Sequence, residues 1–123
     1  MDDNKKIGAL GEQIATDFLS TKGYKLIQKN FRAKQYGEVD IICLHPDKKH
    51  LIFVEVKTRL SDEFGRPEEA ITPNKLHELK KMVDYYYNQF PQTKLSPQID
   101  AIAIMLKSDQ SVDSLMHFEN ITL

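Results

Sequence analysis

The apolar residues of the first twenty positions recur at helical spacing. Ile7, Leu10, Ile14 and Phe18 form one stripe and Gly23 stands where a C-cap belongs, so the pattern predicts a helix over residues 5–22. The period then changes to two. Tyr24 to Phe31 reads as a first strand with Tyr24 and Leu26 on one face, and Gly37 opens a second strand, Glu38 to Leu44. After the turn His45-Pro46-Asp47-Lys48-Lys49, Leu51 to Arg59 returns as a third. Leu60 to Ile71 has no clear period and reads as a loop. Thr72 is an N-cap with Pro73 in the first helical position. Leu76, Leu79, Val83, Tyr86, Tyr87 and Phe90 form the apolar stripe of a second helix, which Pro91 ends. Gln98 to Leu106 and Met116 to Ile121 are expected as a fourth and a fifth strand. The order α-β-β-β-α-β-β predicts a mixed sheet flanked by helices, an α/β fold. No linker or repeat interrupts it, so residues 1–123 are expected to form one domain.

Two strands break the apolar pattern with charge, in Gly37-Glu38-Val39-Asp40-Ile41-Ile42 and Phe53-Val54-Glu55-Val56-Lys57. Side chains alternate along a strand, so Glu38 pairs with Asp40 on one face and Glu55 with Lys57 on another, while Val54 and Val56 point into a core. If the two strands pair, carboxylates and one ammonium converge. Carboxylates suit a hard divalent ion, and a nearby lysine suits a reaction on phosphate. A lone Glu-x-Lys is usually a surface ion pair of small energy. Asp, turn, then Glu-x-Lys across a hairpin is a more specific pattern.

Composition narrows the class. The chain has 123 residues, 41% of them hydrophobic and 28% charged, which excludes a disordered tail. Its longest apolar runs fall far short of the ~20 residues a membrane helix needs, so no membrane partner is expected. The N-terminus lacks a signal peptide's apolar stretch, and Cys43 is the only cysteine, so the cytoplasm is the expected compartment. The net charge of −1 provides no global pull on nucleic acid. Locally, Lys22, Lys25, Lys29, Arg32 and Lys34 lie between Asp17 and Glu38, with no acid among the residues separating those two. That stretch reads either as a phosphate-steering surface or as a solvated hairpin.

These residues resemble the PD-(D/E)xK nuclease superfamily, through Gly37-Glu38-Val39-Asp40 followed by Phe53-Val54-Glu55-Val56-Lys57-Thr58-Arg59. More narrowly, the chain is similar to the YraN-like family, whose members are related to Holliday-junction resolvases. The likeness runs nearly end to end. It includes Gly8-x-x-Gly11-Glu12, Asn30-Phe31-Arg32, Phe64-Gly65-x-Pro67 and Lys75. It implies a restriction-endonuclease-like core, Mg²⁺ (or Mn²⁺) held by Asp40 and Glu55, a catalytic role for Lys57, and Glu12 joining the site. The family usually reads Arg-Phe-Asp where this chain has Gln98-Ile99-Asp100, so any charged contact made there is lost.

The remaining candidates keep two readings each. Glu12 lies off the apolar stripe beside Gly8, Gly11, Ala15 and Leu19, a small face that lets the helix approach another element. It is either a solvent-facing residue or, as the resemblance implies, a member of the site. Glu38 reads equally as a ligand, as a carboxylate behind the ligands, or as an edge residue paired with a lysine. Asp100 either orients Lys57 or completes an ion pair within the sheet, and Gln98 supports it. His45, His50, His77 and His117 have no ligand spacing and are assigned to the surface. Lys75 is a phosphate contact or a solvated helix lysine. Tyr85 is a core residue, a base-stacking residue or a dimer contact. The expected function is a metal-dependent endonuclease on structured or branched DNA, held by Lys25, Lys29, Arg32, Arg59 and Lys75. The alternative is a nucleic-acid-binding module with a weak or inactive site. Resolvase relatives are homodimers, but no further apolar stripe here demands one.

Overall fold

The computed structural model describes residues 3–61 and 71–122. The elements follow in the expected order: α1 (Asp3–Thr21), β1 (Lys25–Ala33), β2 (Gly37–Leu44), β3 (His50–Leu60), α2 (Pro73–Gln89), β4 (Ser96–Leu106) and β5 (Val112–Phe118). Nearly all of the loop expected over Leu60 to Ile71, with Asp62, Glu63, Phe64, Gly65, Pro67, Glu68 and Glu69, lies outside the described residues.

One five-stranded sheet runs β1-β2-β3-β4-β5. β3 and β4 are parallel and the other neighbours are antiparallel. A parallel pair needs a crossover, and α2 supplies it. The sheet has a core on each face. Phe31, Val39, Ile42, Leu51, Phe53 and Ile99 pack under α2 through Leu79, Met82, Val83 and Tyr86. Ile41, Cys43, Ile52, Val54, Ile102 and Ile104 pack under α1 through Ala15 and Leu19. Burial on both faces is why β3 and β4 read as near-continuous apolar runs. Thr72 caps α2 as expected, its hydroxyl accepting the Lys75 N–H at 3.1 Å.

Two expectations need correction. The stripe Ile7, Leu10, Ile14 and Phe18 only flanks the buried face of α1, whose centre is Gly11, Ala15 and Leu19. At Gly11 a Cβ would run into the side chain of Thr58, so the missing side chain is what lets α1 press onto β3. The fifth strand spans Val112–Phe118, not Met116 to Ile121. β5 is an edge strand whose first two residues, Val112 and Asp113, are both exposed, so its alternation is weak. Ile121 lies in a turn held by its N–H to Ile99 O at 2.9 Å and packs against the α2 core.

The Gly11 crossing yields a test. Thr58 is β-branched and stiff at χ1, so it cannot swing away. Gly11→Ala gains about 1 kcal/mol of helix propensity but overpacks the crossing at about 1–3 kcal/mol. A net loss of stability in urea unfolding is expected. A gain would mean that α1 is not seated on Thr58.

Candidate active site

Asp40 stands where two strands part. β2 and β3 keep register from Leu44↔Leu51 to Ile41↔Val54 and pair no further, while β1 stays paired with β2 out to Gly37. Val39 packs under α2 and Ile41 under α1 although they are two residues apart, so strict alternation slips at Asp40. In the gap, Asp40 Oδ2 accepts the Val56 N–H at 2.8 Å. The carboxylate replaces the ladder partner that β3 has lost, which explains an acid inside an apolar strand.

Glu55 shares the α2 face with Leu51 and Phe53 and is 9% exposed. Burial pushes its carboxyl up to about 8, helped by a hydrogen bond to Asp40 and by the charge of Asp40, while Lys75 pulls the other way. Two neighbouring carboxyl groups repel when both ionise, and either a proton or a cation relieves this. Lys75 Nζ lies 3.4 Å from Glu55 Oε2 and 2.7 Å from Glu78 Oε2. Burial works against the Lys75 ammonium, but its hydrogen bond to Glu78 and the charges of Glu55 and Glu78 outweigh it and raise its pKa. Glu78 in turn occupies the space beside Gly37, where a Cβ would strike its carboxylate and where φ is +125°. Gly37 is therefore needed both for its backbone and for the room it leaves Glu78.

Glu12 reaches the same place from the other layer. Its carboxyl is raised by burial, then by the charges of Asp40 and Glu38, against Lys29 and a hydrogen bond from Asn30. Oriented to pair donors with acceptors, the Asn30 amide nitrogen donates to Glu38 Oε1 at 2.9 Å and Glu12 Oε1 at 3.1 Å. Asn30 has φ +53°, a conformation asparagine adopts more readily than most residues. Arg32 sits on the outer side, with Nε 3.4 Å from Glu38 Oε1.

Beside Glu12 a cleft of about 450 Å³ opens between the first turns of α1 and the end of β3, lined by Gly8, Glu12, Val56, Lys57, Thr58 and Arg59 among others. Lys57 is exposed along it. Thr58 Oγ1 is buried there without a hydrogen-bond partner among the described residues. Lys25 and Lys29 lie on β1, the edge strand on the other side of β2.

The structure thus links Glu12 to Glu38 and Asp40, and Asp40 through Glu55 to Lys75, in a chain of pairwise interactions, with Lys57 and Arg59 along the cleft. It does not bring Asp100 or Gln98 to them. Asp100 has the parity of Ile102 and Ile104 and points to the α1 face, away from Glu55. There it is fully buried and saturated by Gln98 Nε2 at 2.9 Å, His117 Nε2 at 2.8 Å and the Asn120 N–H at 2.9 Å. Its charge and burial push the Cys43 thiol up to about 12, burial being the larger cause. His117 is not a surface residue, since its side chain is 12% exposed against Asp100. The sequence reading gave Asn30 no role beyond its place in the family motif, did not single out Glu78, and put His117 at the surface. Asn30 carries a faint signal, an asparagine inside a β-prone run. Glu78 carries another, its i+3 spacing from Lys75.

Among the described residues no three histidine, cysteine, aspartate or glutamate side chains meet at one point. Two neighbouring carboxylates, as at Asp40 and Glu55, are the type of donor that suits a hard cation which keeps some of its waters. No helix among the described residues is long and apolar enough to cross a membrane.

Residues 11–104 match the family described as "Uncharacterised protein family UPF0102". A UPF0102 protein of Syntrophomonas wolfei is 40% identical over 108 residues, covering 88% of this chain and 91% of its own. A second, from Alkaliphilus oremlandii, is 37% identical over 119 residues, covering 95% and 97%.

Proposed function

This chain belongs to the uncharacterised protein family UPF0102, and from that premise and the geometry of its acidic cluster we propose that it is a Mg²⁺-dependent endonuclease that hydrolyses phosphodiester bonds in structured or branched DNA. One observation carries the reading. Asp40, placed by the parting of β2 and β3, acts electrostatically on both Glu55 and Glu12, so acids from three elements lie within reach of one another. Carboxyl groups this close cost stability unless something positive uses them.

Asp40 and Glu55 would hold the Mg²⁺, with Mn²⁺ as a substitute. Bound there, the ion would supply charge against the phosphoryl oxygens and a lower pKa for the attacking water. Glu55 must be ionised to do this, and Lys75 favours that form. Glu78 fixes Lys75, so α2 holds the Glu55 carboxylate in place. Lys57, exposed along the cleft, is suited to orient the water or offset charge as the P–O bond breaks. Arg59 lines the same cleft, and Lys25, Lys29 and Arg32 provide basic groups on β1. Such groups contact phosphates and not base edges, so recognition by shape and a steep loss of binding with salt are expected.

The test is incubation of the purified chain with labelled duplex, single-stranded, flap and four-way-junction DNA, and with RNA, in Mg²⁺, Mn²⁺ or EDTA. Cleavage of structured DNA that needs metal supports the reading. Absence of cleavage under all conditions overturns it.

A second reading is a nucleic-acid-binding module with an idle site. It draws on the tightly held proton of Glu55 and on Gln98 in the position where the resembled family has an arginine. Retardation of DNA unaffected by EDTA, without cleavage, distinguishes it.

Lys75→Ala separates the roles further. Lys75 lowers the Glu55 pKa, so its removal should move the acidic limb of the pH–rate profile upwards and cost roughly tenfold in rate at neutral pH. An unmoved limb would mean that Lys75 does not act through Glu55.

A further inference from the structure

We propose that Tyr36 and Tyr85 form a stacking subsite for one unpaired nucleobase beside the acidic cluster, so that the DNA this chain takes carries a single-stranded stretch. The proposal rests on the reading above that the partner is DNA.

Tyr36 lies in the turn between β1 and β2 and is 41% exposed, so it fills no core. Its ring centroid is 5.9 Å from that of Tyr85, with the planes at 59°. Tyr85 leans on Phe31, also at 5.9 Å, and is thereby fixed to the core. Beside the two rings is a hollow of about 270 Å³ lined by Tyr36, Tyr85, Lys81, Asp84 and Asn88.

The lining matches a base better than a phosphate. Aromatic faces stack on any base and do so without sequence preference. Asn88 can donate and accept, and Asp84 accepts from ring N–H or exocyclic amino groups while repelling a phosphate. Lys81 in the lining and Lys34, exposed in the turn, provide the charge a flanking phosphate needs. A paired base has both faces covered by its neighbours, so only an unpaired base can enter.

The subsite is continuous with the catalytic cluster. Gly37 follows Tyr36 and abuts Glu78, which pairs with Lys75, which pairs with Glu55. Asp40 lies four residues beyond Tyr36, about 13 Å along a strand. A base held at Tyr36 would therefore sit a few nucleotides from the phosphate to be cut.

The chain has no tryptophan, so Tyr36→Trp introduces a single indole reporter. In EDTA and low salt, this variant is titrated with single-stranded oligothymidylate, with a duplex of the same length and with an abasic strand of the same length. Strong quenching by the single strand is expected, with little from the abasic strand or the duplex. Tyr36→Ala should weaken single-strand binding roughly tenfold, and Tyr36→Phe should restore it. Equal quenching by the abasic strand, or unchanged affinity in Tyr36→Ala, overturns the subsite. So does an indole signal that depends only on protein concentration, which would make this face a contact between copies. Cleavage in Mg²⁺ that is indifferent to Tyr36→Ala removes the subsite and leaves the nuclease reading standing. Base-dependent quenching without metal-dependent cleavage does the reverse.

Discussion

Asp40→Asn is expected to lower metal-dependent cleavage by roughly 10³-fold or more, while DNA binding in EDTA stays as it was or tightens. The substitution keeps the shape of the side chain. Its amide oxygen can still accept the Val56 N–H, so the parting of β2 from β3 should survive. What disappears is the negative charge that a divalent cation needs and that repels a phosphate. A structural role would behave otherwise, lowering the melting temperature and DNA binding together with cleavage. Loss of cleavage with an unchanged melting temperature therefore assigns Asp40 to the chemistry. Wild-type cleavage by the purified variant would sink the assignment of Asp40 as a metal ligand. Glu12→Gln should fall short of this effect. Glu12 reaches the cluster through the field of Asp40 and through Asn30, not through direct contact with Glu55.

The fold was legible in the sequence because its elements announce themselves locally. The Thr72-Pro73 cap, the Pro91 stop and the apolar runs of β3 and β4 each follow from a single segment. What was not legible depends on facing. Asp100 follows Ile99 within an apolar strand much as Asp40 follows Val39, yet one points to the α1 face and the other fills a strand break. Only the register between strands separates the two cases. Glu55 and Lys57 share a strand face in sequence, which suggested Lys57 as the ammonium beside the carboxylates. The partner actually at Glu55 is Lys75 from α2, a contact made by the crossover and invisible to spacing. The small face of α1 was legible as well: Gly8, Gly11, Ala15 and Leu19 read as a surface for close approach, and Gly11 packs on Thr58 with the large apolar stripe flanking it.

The buried proton of Glu55 has a thermodynamic signature that needs no substrate. Its carboxyl rises from an ordinary 4.5 to about 8 in the folded chain, mainly by burial and then by Asp40. The folded state thus holds this proton more tightly than the unfolded state does. The resulting stability is fully present below about pH 4.5 and is lost as pH rises through about 8. Glu55→Gln mimics the protonated form at every pH. Its melting temperature should therefore lie close to that of the wild type near pH 5 and exceed it by on the order of 10 °C near pH 9. The opposing effect is small, because Lys75 loses one partner but keeps Glu78 at 2.7 Å. Mg²⁺ replaces the proton, so it should raise the wild-type melting temperature at pH 8–9 by mass action and leave Glu55→Gln nearly unmoved. Below pH 6 the ion must displace the proton, and its effect on the wild type should fade. Melting curves of the two proteins across pH 5–9, with and without Mg²⁺, check all three expectations. Parallel wild-type and Glu55→Gln profiles would mean that Glu55 is ionised throughout and that the acidic pair holds no proton for a metal to displace.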